Sequence, residues 1–334
     1  MQRDQNTSNQ AGKESVENTI EVSNLTKYYN RTFTIAGRTF GRTVRGTENV
    51  TFSVRRGEIF GFLGPNGAGK TTAIRSMLGY LHIQSGTIAI LGMDHAANAM
   101  EIRKRIGYIP GDLALYKNYT GEELIKFFHK LRPVDEAMMT ELREIFGVNL
   151  TQRVKKLSSG NRQQLALILA VGPNPELLIM DEPTLGLDPL VVSRFHALLR
   201  RLSQNGTTIF LSSHDLAEVQ AVCDRVGIIR NGRMVEVETV EALRSKAVQH
   251  MTLQFHDPGE EQTREVIKGL DAVADTSMAE NGIMKVTIKG DVNEVIRLIS
   301  KTQVKRMTLE DAPLEDIFLQ YYMDESELKE VNGK

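Results

Sequence analysis

The sequence has little cysteine, and this scarcity excludes disulfide bonds within the chain. Its 334 residues include only one cysteine, Cys223, so no disulfide can form within the chain, as is typical of a reducing compartment. Cys223 lies in an apolar segment, and we expect a small buried core residue rather than a reactive thiol. The seven histidines show neither H-x-x-x-H nor Cys/His spacing, so no transition-metal site is predicted.

Long apolar runs and a charge surplus are also missing. No apolar run approaches the roughly 20 residues of a transmembrane helix, and the polar N-terminus lacks the core of a signal peptide, so we expect a cytoplasmic protein. The formal net charge is −1, from 41 basic and 42 acidic residues, and no nucleic-acid partner is predicted. Hydrophobic residues make up 41% of the chain, enough to bury the cores of roughly two domains.

What the sequence does contain is a glycine-rich loop that matches the phosphate-binding pattern G-x-x-x-x-G-K-[ST] between a predicted strand and a predicted helix. Its glycines allow successive backbone N–H groups to point at an anion. Lys70 adds a positive charge for the outer phosphates, and Thr71 adds a hydroxyl for Mg2+. The predicted nucleotide-binding residues of the loop are Gly64, Pro65, Asn66, Gly67, Ala68, Gly69, Lys70, Thr71 and Thr72.

Two carboxylates, Asp181 and Glu182, end an apolar run that is typical of a strand buried on both faces. The carboxyl ends of parallel strands are where such sheets bind ligands. Asp181 is therefore predicted to hold the metal, and Glu182 to take a proton from the attacking water. His214 follows another predicted buried strand and could reach a terminal phosphate, the alternative being an ordinary turn histidine.

A second candidate anion site is formed by Ser158, Ser159, Gly160 and Asn161, which precede an apolar helix pattern. A helix N-terminus exposes unpaired N–H groups. From these residues alone, an ordinary serine N-cap remains the alternative. Tyr28 and Tyr29 raise a similar choice, because either ring could stack on a nucleotide base or pack on a sheet edge.

The remaining pattern predicts the domain organisation. Residues 1–18 are predicted to be a disordered tail, and residues 19–242 an α/β domain with a helical insert at about 113–172. Residues 243–323 show the β-α-β-β-α-β order of a small ferredoxin-like α+β domain, followed by a charged tail at 324–334.

Shorter segments predict local elements. Residues 31–45 contain four arginines, and their pattern predicts a basic hairpin between strands at 19–22 and 49–54. The basic face of this hairpin is either solvated or in contact with a partner or acidic lipid. A second hairpin is expected to turn at Asn231 and Gly232. Helices are predicted, among others, at 95–105, 216–226 and 314–322.

The phosphate loop, the Ser/Gly helix start, the paired carboxylates, the Gly-Leu-Asp-Pro segment at 186–189 and His214 occur in this order. On these motifs, residues 19–242 resemble the ATP-binding subunits of ABC transporters that drive a separate ABC-2 type permease. The resemblance implies a P-loop NTPase fold of the ABC type, with a helical insert and an antiparallel β subdomain. It also implies that the C-terminal domain is the accessory domain of export ATPases.

The same resemblance implies a head-to-tail dimer, expected to consist of two identical chains, that hydrolyses ATP with Mg2+ on the cytoplasmic face of the membrane. Residues 158–161 of the partner subunit would contact the γ-phosphate. Tyr29 would stack on adenine, Asp188 would couple the two sites, and His214 would hold the γ-phosphate.

Two departures from the family pattern are present. The usual Leu-Ser-Gly-Gly-Gln signature is Leu-Ser-Ser-Gly-Asn here, and the glutamine that normally follows the Tyr-Ile-Pro segment is replaced by Gly111 and Asp112. Asp112 could offer an oxygen to the metal instead. The function of the whole chain has two alternatives to a transport ATPase. One is a regulatory subunit with weak hydrolysis, and the other is an ABC ATPase that acts on ribosomes or nucleic acid.

Overall fold

The computed structural model describes residues 17–35, 38–245, 249–255, 261–279, 283–300 and 302–311. The chain divides into two compact units, Met1–Val237 and Glu238–Lys334. The first sixteen residues of the predicted tail, the predicted helix at 314–322 and the charged tail at 324–334 lie outside the described residues. Within the described chain, no helix has both the length and the apolar character needed to cross a membrane.

The first unit combines a parallel sheet, an antiparallel sheet and helices. Its strands are β1 (Asn18–Ile35), β2 (Arg38–Arg55), β3 (Ile59–Leu63), β4 (Ser85–Ile90), β5 (Met93–Asp94), β6 (Ile106–Ile109), β7 (Leu177–Asp181), β8 (Thr208–Ser213), β9 (Arg225–Arg230) and β10 (Arg233–Thr239). Its helices are α1 (Lys70–Met77), α2 (Ala99–Arg105), α3 (Gly121–Leu131), α4 (Glu136–Ile145), α5 (Ser159–Val171), α6 (Pro189–Gln204) and α7 (Leu216–Val222).

The central sheet has the strand order β10-β9-β3-β8-β7-β6, and its pairings from β9 to β6 are parallel. Every residue of β3, β7 and β8 is buried, as expected for strands covered on both faces. Because these strands are parallel, their carboxyl ends lie along the same edge of the sheet.

The antiparallel sheet has the order β2-β1-β4-β5 and packs on the central sheet through aromatic rings. Phe52 of β2 contacts Phe60, Phe62 and Phe210, with ring centroids 5.4 to 5.8 Å apart. Such ring pairs add to the stabilisation from burial, so this cluster fixes one sheet against the other.

The structure corrects the predicted start of the antiparallel sheet. β1 begins at Asn18, inside the predicted tail, and pairs with β2 along one ladder that runs from Asn18↔Arg55 to Ile35↔Arg38. The expected strands at 19–22 and 49–54 and the hairpin at 31–45 are therefore one long hairpin. β4 pairs with β1 only as far as Thr26, so the outer part is a two-stranded ribbon.

Two helices are shorter than predicted, in each case because a competing structure forms. The predicted helix at 95–105 starts at Ala99, since the Asp94 carboxylate accepts the Ala96 and Ala97 N–H groups and holds a turn. The predicted helix at 216–226 ends at Val222, since Asp224 bonds Ile59 of β3 and the chain continues as β9 beside β3.

The helical insert contains α3, α4 and α5, and the sequence supplies the residues that cap these helices. Thr120 and Glu123 form a capping box at the start of α3, with backbone-to-side-chain bonds of 3.1 and 2.8 Å. The Asp135 carboxylate accepts two N–H groups at the start of α4.

The second unit contains a four-stranded antiparallel sheet of order β12-β13-β11-β14 in its described part. Its elements are α8 (Val240–Ser245), β11 (Gln249–Phe255), α9 (Glu261–Lys268), β12 (Val273–Met278), β13 (Ile283–Ile288), α10 (Val292–Ile299) and β14 (Val304–Asp311). Alternate residues such as Leu253 and Val286 share a buried core with Ile267 of α9 and Val295 of α10.

Cys223 is 2% exposed, and a Cβ on Gly61 of β3 would lie 2.8 Å from its sulfur. Burial raises the pKa of the Cys223 thiol, and the negative charges of Glu218 and Asp224 add to the effect. The expectation of a buried core residue is therefore confirmed.

We predict that the Cys223 thiol reacts with Ellman's reagent at pH 8 at least about 100-fold more slowly in the folded chain than in urea, because only the exposed thiolate is reactive. Cys223→Ser serves as the background control. Similar rates in the folded and unfolded chain would contradict the buried placement.

Candidate active site

The glycine-rich loop joins β3 to α1 and is anchored to the end of β8. The Gly64 N–H donates to the Ser213 carbonyl at 3.2 Å. Gly69 precedes α1 with φ of 109°, and a Cβ there would collide with the Gly46 carbonyl. Only glycine fits this position, and the α1 N-terminus is left open toward the loop.

Lys70 is 6% exposed and turns back into the loop. Its Nζ donates to the Gly64 carbonyl at 2.5 Å and lies 3.1 Å from Glu182 Oε1. The lysine charge is thus placed between the loop and the end of β7, where the phosphate-binding pattern predicts a phosphate contact.

Asp181 is 1% exposed and ends β7. Its two carboxylate oxygens accept the hydroxyls of Thr71 at 2.7 Å and Ser212 at 2.5 Å. Hydroxyl and carboxylate oxygens are the ligands that Mg2+ prefers in proteins, so the Thr71 and Asp181 pair fits this ion. Ser212 was not predicted, because the sequence alone does not show which strand neighbours β7.

Glu182 and His214 meet at the same edge. The Glu182 carboxylate lies 2.7 Å from His214 Nδ1. The backbone N–H of Glu182 donates to the Ser212 carbonyl at 3.1 Å. Glu182 has φ of 52°, a conformation that is strained for a residue other than glycine. Strain of this kind clusters at functional sites, and here it turns the carboxylate toward Lys70.

A pocket of about 260 Å³ opens above these residues. Tyr29 lines it, with its hydroxyl 3.2 Å from the Thr72 hydroxyl. Tyr28 is engaged elsewhere, and its hydrogen bond to the Glu48 carboxylate raises the pKa of its hydroxyl. The pocket is lined by Tyr29, Val44, Arg45, Gly46, Pro65, Asn66, Gly67, Gly69, Lys70, Thr71, Thr72 and Glu182.

The sequence did not indicate Val44, Arg45 and Gly46 as pocket residues. They reach the pocket because β2 pairs with β1 in the register that sets Tyr29 opposite Val44. Arg45 forms an ion pair with Glu48 at 2.9 Å and donates to the Asn231 carbonyl. The predicted turn at Asn231 and Gly232, with φ of 50° and 77°, thus borders the pocket wall.

The ABC transporter family model matches residues 47–185. An uncharacterized ABC transporter ATP-binding protein of Bacillus subtilis, YhcH, is 32% identical over 307 residues, which cover 90% of this chain and 95% of YhcH. The chain belongs to the ATP-binding subunits of ABC transporters. It is an ATPase that energises transport, and the family predicted from its motifs is confirmed.

Other relatives of this ATP-binding subunit carry more specific names. The bacitracin transport ATP-binding protein BcrA of Bacillus licheniformis is 32% identical over 316 residues, covering 90% of this chain and 96% of BcrA. The linearmycin resistance ATP-binding protein LnrL of Bacillus subtilis is 34% identical over 235 residues, covering 68% of this chain and 71% of LnrL.

Solved structures show the same fold. An ATP-binding subunit of an ABC transporter has a TM-score of 0.59 and 31% identity, over 68% of this chain and 92% of that one. A dimeric ATP-binding cassette in a post-hydrolysis state with ADP and Pi has a TM-score of 0.58 and 20% identity, over 66% of this chain and 98% of that one.

In the ATP-binding subunit, residues 158–161 are not among those that line the pocket of the same chain. The Ser158 hydroxyl caps α5 by accepting the Asn161 N–H at 3.1 Å. A Cβ on Gly160 would lie 2.6 Å from the Gly186 carbonyl, so the start of α5 packs directly on the loop that leads to Asp188.

Gly111 and Asp112, which replace the usual glutamine, differ in their position relative to Asp181. A Cβ on Gly111 would lie 3.2 Å from Asp181 Oδ2, whereas Asp112 is exposed. The backbone position that faces the predicted metal ligand is therefore Gly111, which has no side chain to offer.

We predict that Gly160→Ala destabilises the subunit by about 1–3 kcal/mol in urea unfolding, because the added methyl group meets the Gly186 backbone. Without that contact, alanine in a helix would stabilise by about 1 kcal/mol. Gly147→Ala is the control, since a Cβ there meets nothing within 4 Å. Equal or higher stability of Gly160→Ala would contradict the close approach.

Proposed function

We propose that this subunit binds ATP with Mg2+, pairs with a second copy of itself and hydrolyses the nucleotide to drive an ABC-2 type permease on a separate chain, for export from the cytoplasm. The observation that carries the proposal is the meeting of Lys70, Asp181, Glu182 and His214 at one sheet edge beside the glycine-rich loop. The names of BcrA and LnrL, which refer to bacitracin transport and linearmycin resistance, support the direction of transport.

The glycine-rich loop and the α1 N-terminus receive the phosphates, and Tyr29 stacks on adenine. Lys70 leaves the Gly64 carbonyl and Glu182 to contact the outer phosphates. Thr71 and Asp181 would hold Mg2+, which would supply positive charge to neutralise the phosphates. His214 contacts the γ-phosphate.

Glu182 orients the attacking water and accepts its proton. Its carboxylate is 18% exposed and is held by His214 on one oxygen and Lys70 on the other. Both contacts point the carboxylate to the place where the terminal phosphate arrives. This arrangement favours an active ATPase over a regulatory subunit with weak hydrolysis.

The second copy completes the site. Ser158 and Ser159 are exposed, and so is Asp188, with Leu185 and Leu190 beside it at 63% and 64% exposure. Exposed apolar side chains next to a helix N-terminus fit a surface that a partner covers. Residues 158–161 of one copy then contact the γ-phosphate held by the other, and Asp188 couples the two sites.

The permease docks on the helical insert. An apolar groove of about 330 Å³ runs between α3, α5 and the segment after β6. Beside it, an aromatic patch is exposed, made of Tyr116, Tyr119, Phe127 and Phe128. Exposed patches of this kind mark protein contacts. The segment after β6 includes Gly111, so the groove adjoins the Asp181 edge of the site.

The second unit is a ferredoxin-like accessory domain. The order β12-β13-β11-β14 with α9 and α10 between strands supports this classification.

Glu182→Gln is expected to lower the ATP hydrolysis rate of the purified full-length subunit by about 10²- to 10⁴-fold, the usual contribution of a general base, while ATP binding persists. Lys70→Ala should instead weaken ATP binding. Glu144→Gln, an exposed position on α4, is the matched control. Wild-type turnover in Glu182→Gln would refute the assigned base.

Mixing two inactive variants tests the shared site. Lys70→Ala and Ser158→Arg are each expected to hydrolyse ATP at background rates. An equal mixture should recover about a quarter of the wild-type rate, since half of the random dimers are mixed and each has one intact site of two. A mixture no more active than the sum of its parts would place both residues in a site within one chain.

A further inference from the structure

Glu218 on α7 is a buried carboxylate without a role in the chemistry proposed above. It is 6% exposed, and its Oε2 accepts the Ser213 hydroxyl at 2.5 Å. Its Oε1 has no hydrogen-bond partner among the residues the structure describes and lies 3.9 Å from His196 Nε2 on α6. Burying a carboxylate costs free energy that one hydroxyl only partly offsets, so its placement needs an explanation.

Ser213, the hydrogen-bond partner of Glu218, lies at the end of a central strand beside His214. Ser213 ends β8 directly before His214, and its hydroxyl also accepts the Asp215 N–H at 2.9 Å. The two residues that flank His214 are thereby joined in a tight turn. The Ser213 carbonyl accepts the Gly64 N–H, so the same residue sets the position of the glycine-rich loop.

The backbone turn at His214 therefore depends on the orientation of one hydroxyl, while the ring itself contacts Glu182 at 2.7 Å. Ser213 Oγ accepts the Asp215 N–H and carries one hydrogen, for which Glu218 Oε2 at 2.5 Å is a nearer acceptor than the Asp215 carbonyl at 3.3 Å. Glu218 accepts that hydrogen and leaves the lone pairs of the oxygen for Asp215. A charged acceptor holds the hydroxyl more firmly than a neutral one would.

We propose that Glu218 is a positioning residue for His214, acting through the Ser213 hydroxyl so that the imidazole is presented to the γ-phosphate. This inference rests on the proposed contact between His214 and the γ-phosphate. It assigns Glu218 to the discrimination between nucleoside triphosphate and diphosphate rather than to nucleotide binding as such.

The test is the ratio of affinities for adenylyl imidodiphosphate and ADP, measured by calorimetry with Mg2+ on the full-length chain. His214→Ala should lower the ratio about tenfold, the loss of one hydrogen bond to a charged group. Glu218→Ala and Ser213→Ala should each lower it about threefold with ADP affinity unchanged. A merely structural role would weaken binding of both nucleotides.

Two further variants separate positioning from damage to the fold. Glu218→Gln keeps an acceptor for the Ser213 hydroxyl, so it should restore the ratio to within about twofold of the wild type. In the His214→Ala background, Glu218→Ala should change the ratio no further, because residues acting in one chain of contacts are not additive. Glu144→Ala and Glu144→Gln are the matched controls on the exposed face of α4.

Three results would overturn the inference. A wild-type ratio in both Ser213→Ala and Glu218→Ala, with His214→Ala still impaired, would reject the role of Glu218 and leave the proposed function intact. A further drop of the ratio in the double variant would show that Glu218 does not act through His214. An unchanged ratio in His214→Ala would reject the γ-phosphate contact itself.

Discussion

The parallel register of three buried strands is the constraint on which the site depends. β3 pairs with β8 so that Leu63 lies beside Ser213, and β8 pairs with β7 so that Ser212 lies beside Asp181. Because of this register, the glycine-rich loop, the carboxylates and His214 lie next to one another at the carboxyl edge of the sheet. A slip of one residue between β7 and β8 would separate Asp181 from Thr71, although every motif would still be present.

The chemistry of the site could be predicted from sequence where it is local. A glycine-rich turn before a helix, and carboxylates at the end of an apolar run, need only their immediate neighbours to be recognised. Two further assignments depended on the tertiary structure. Tyr29 rather than Tyr28 lines the pocket, and this depends on the pairing of β1 with β2, which sets Tyr29 opposite Val44. The end of α7 follows from the pairing of β9 with β3, which outweighs the helical pattern up to residue 226.

The charges of the site contact one another. Lys70 lies between the Gly64 carbonyl and Glu182, and Glu182 also contacts His214. The lysine is buried, so an unpaired charge there would be costly, and the internal partners remove that cost. In the proposed reaction the phosphates take the place of Glu182 beside Lys70, which would link the occupancy of the phosphate site to the availability of the proposed base.

The start of α5 and the loop that leads to Asp188, which together form the proposed dimer surface, are in contact where Gly160 approaches Gly186. Since the start of α5 rests on the loop that leads to Asp188, neither can move far without the other. Gln163 adds a second tie, because its side chain donates to the Pro183 carbonyl at 2.8 Å. α5 belongs to the helical insert, where the proposed permease groove lies, whereas residues 183–188 continue directly from Glu182. These two short contacts therefore join the insert directly to the segment that follows Glu182.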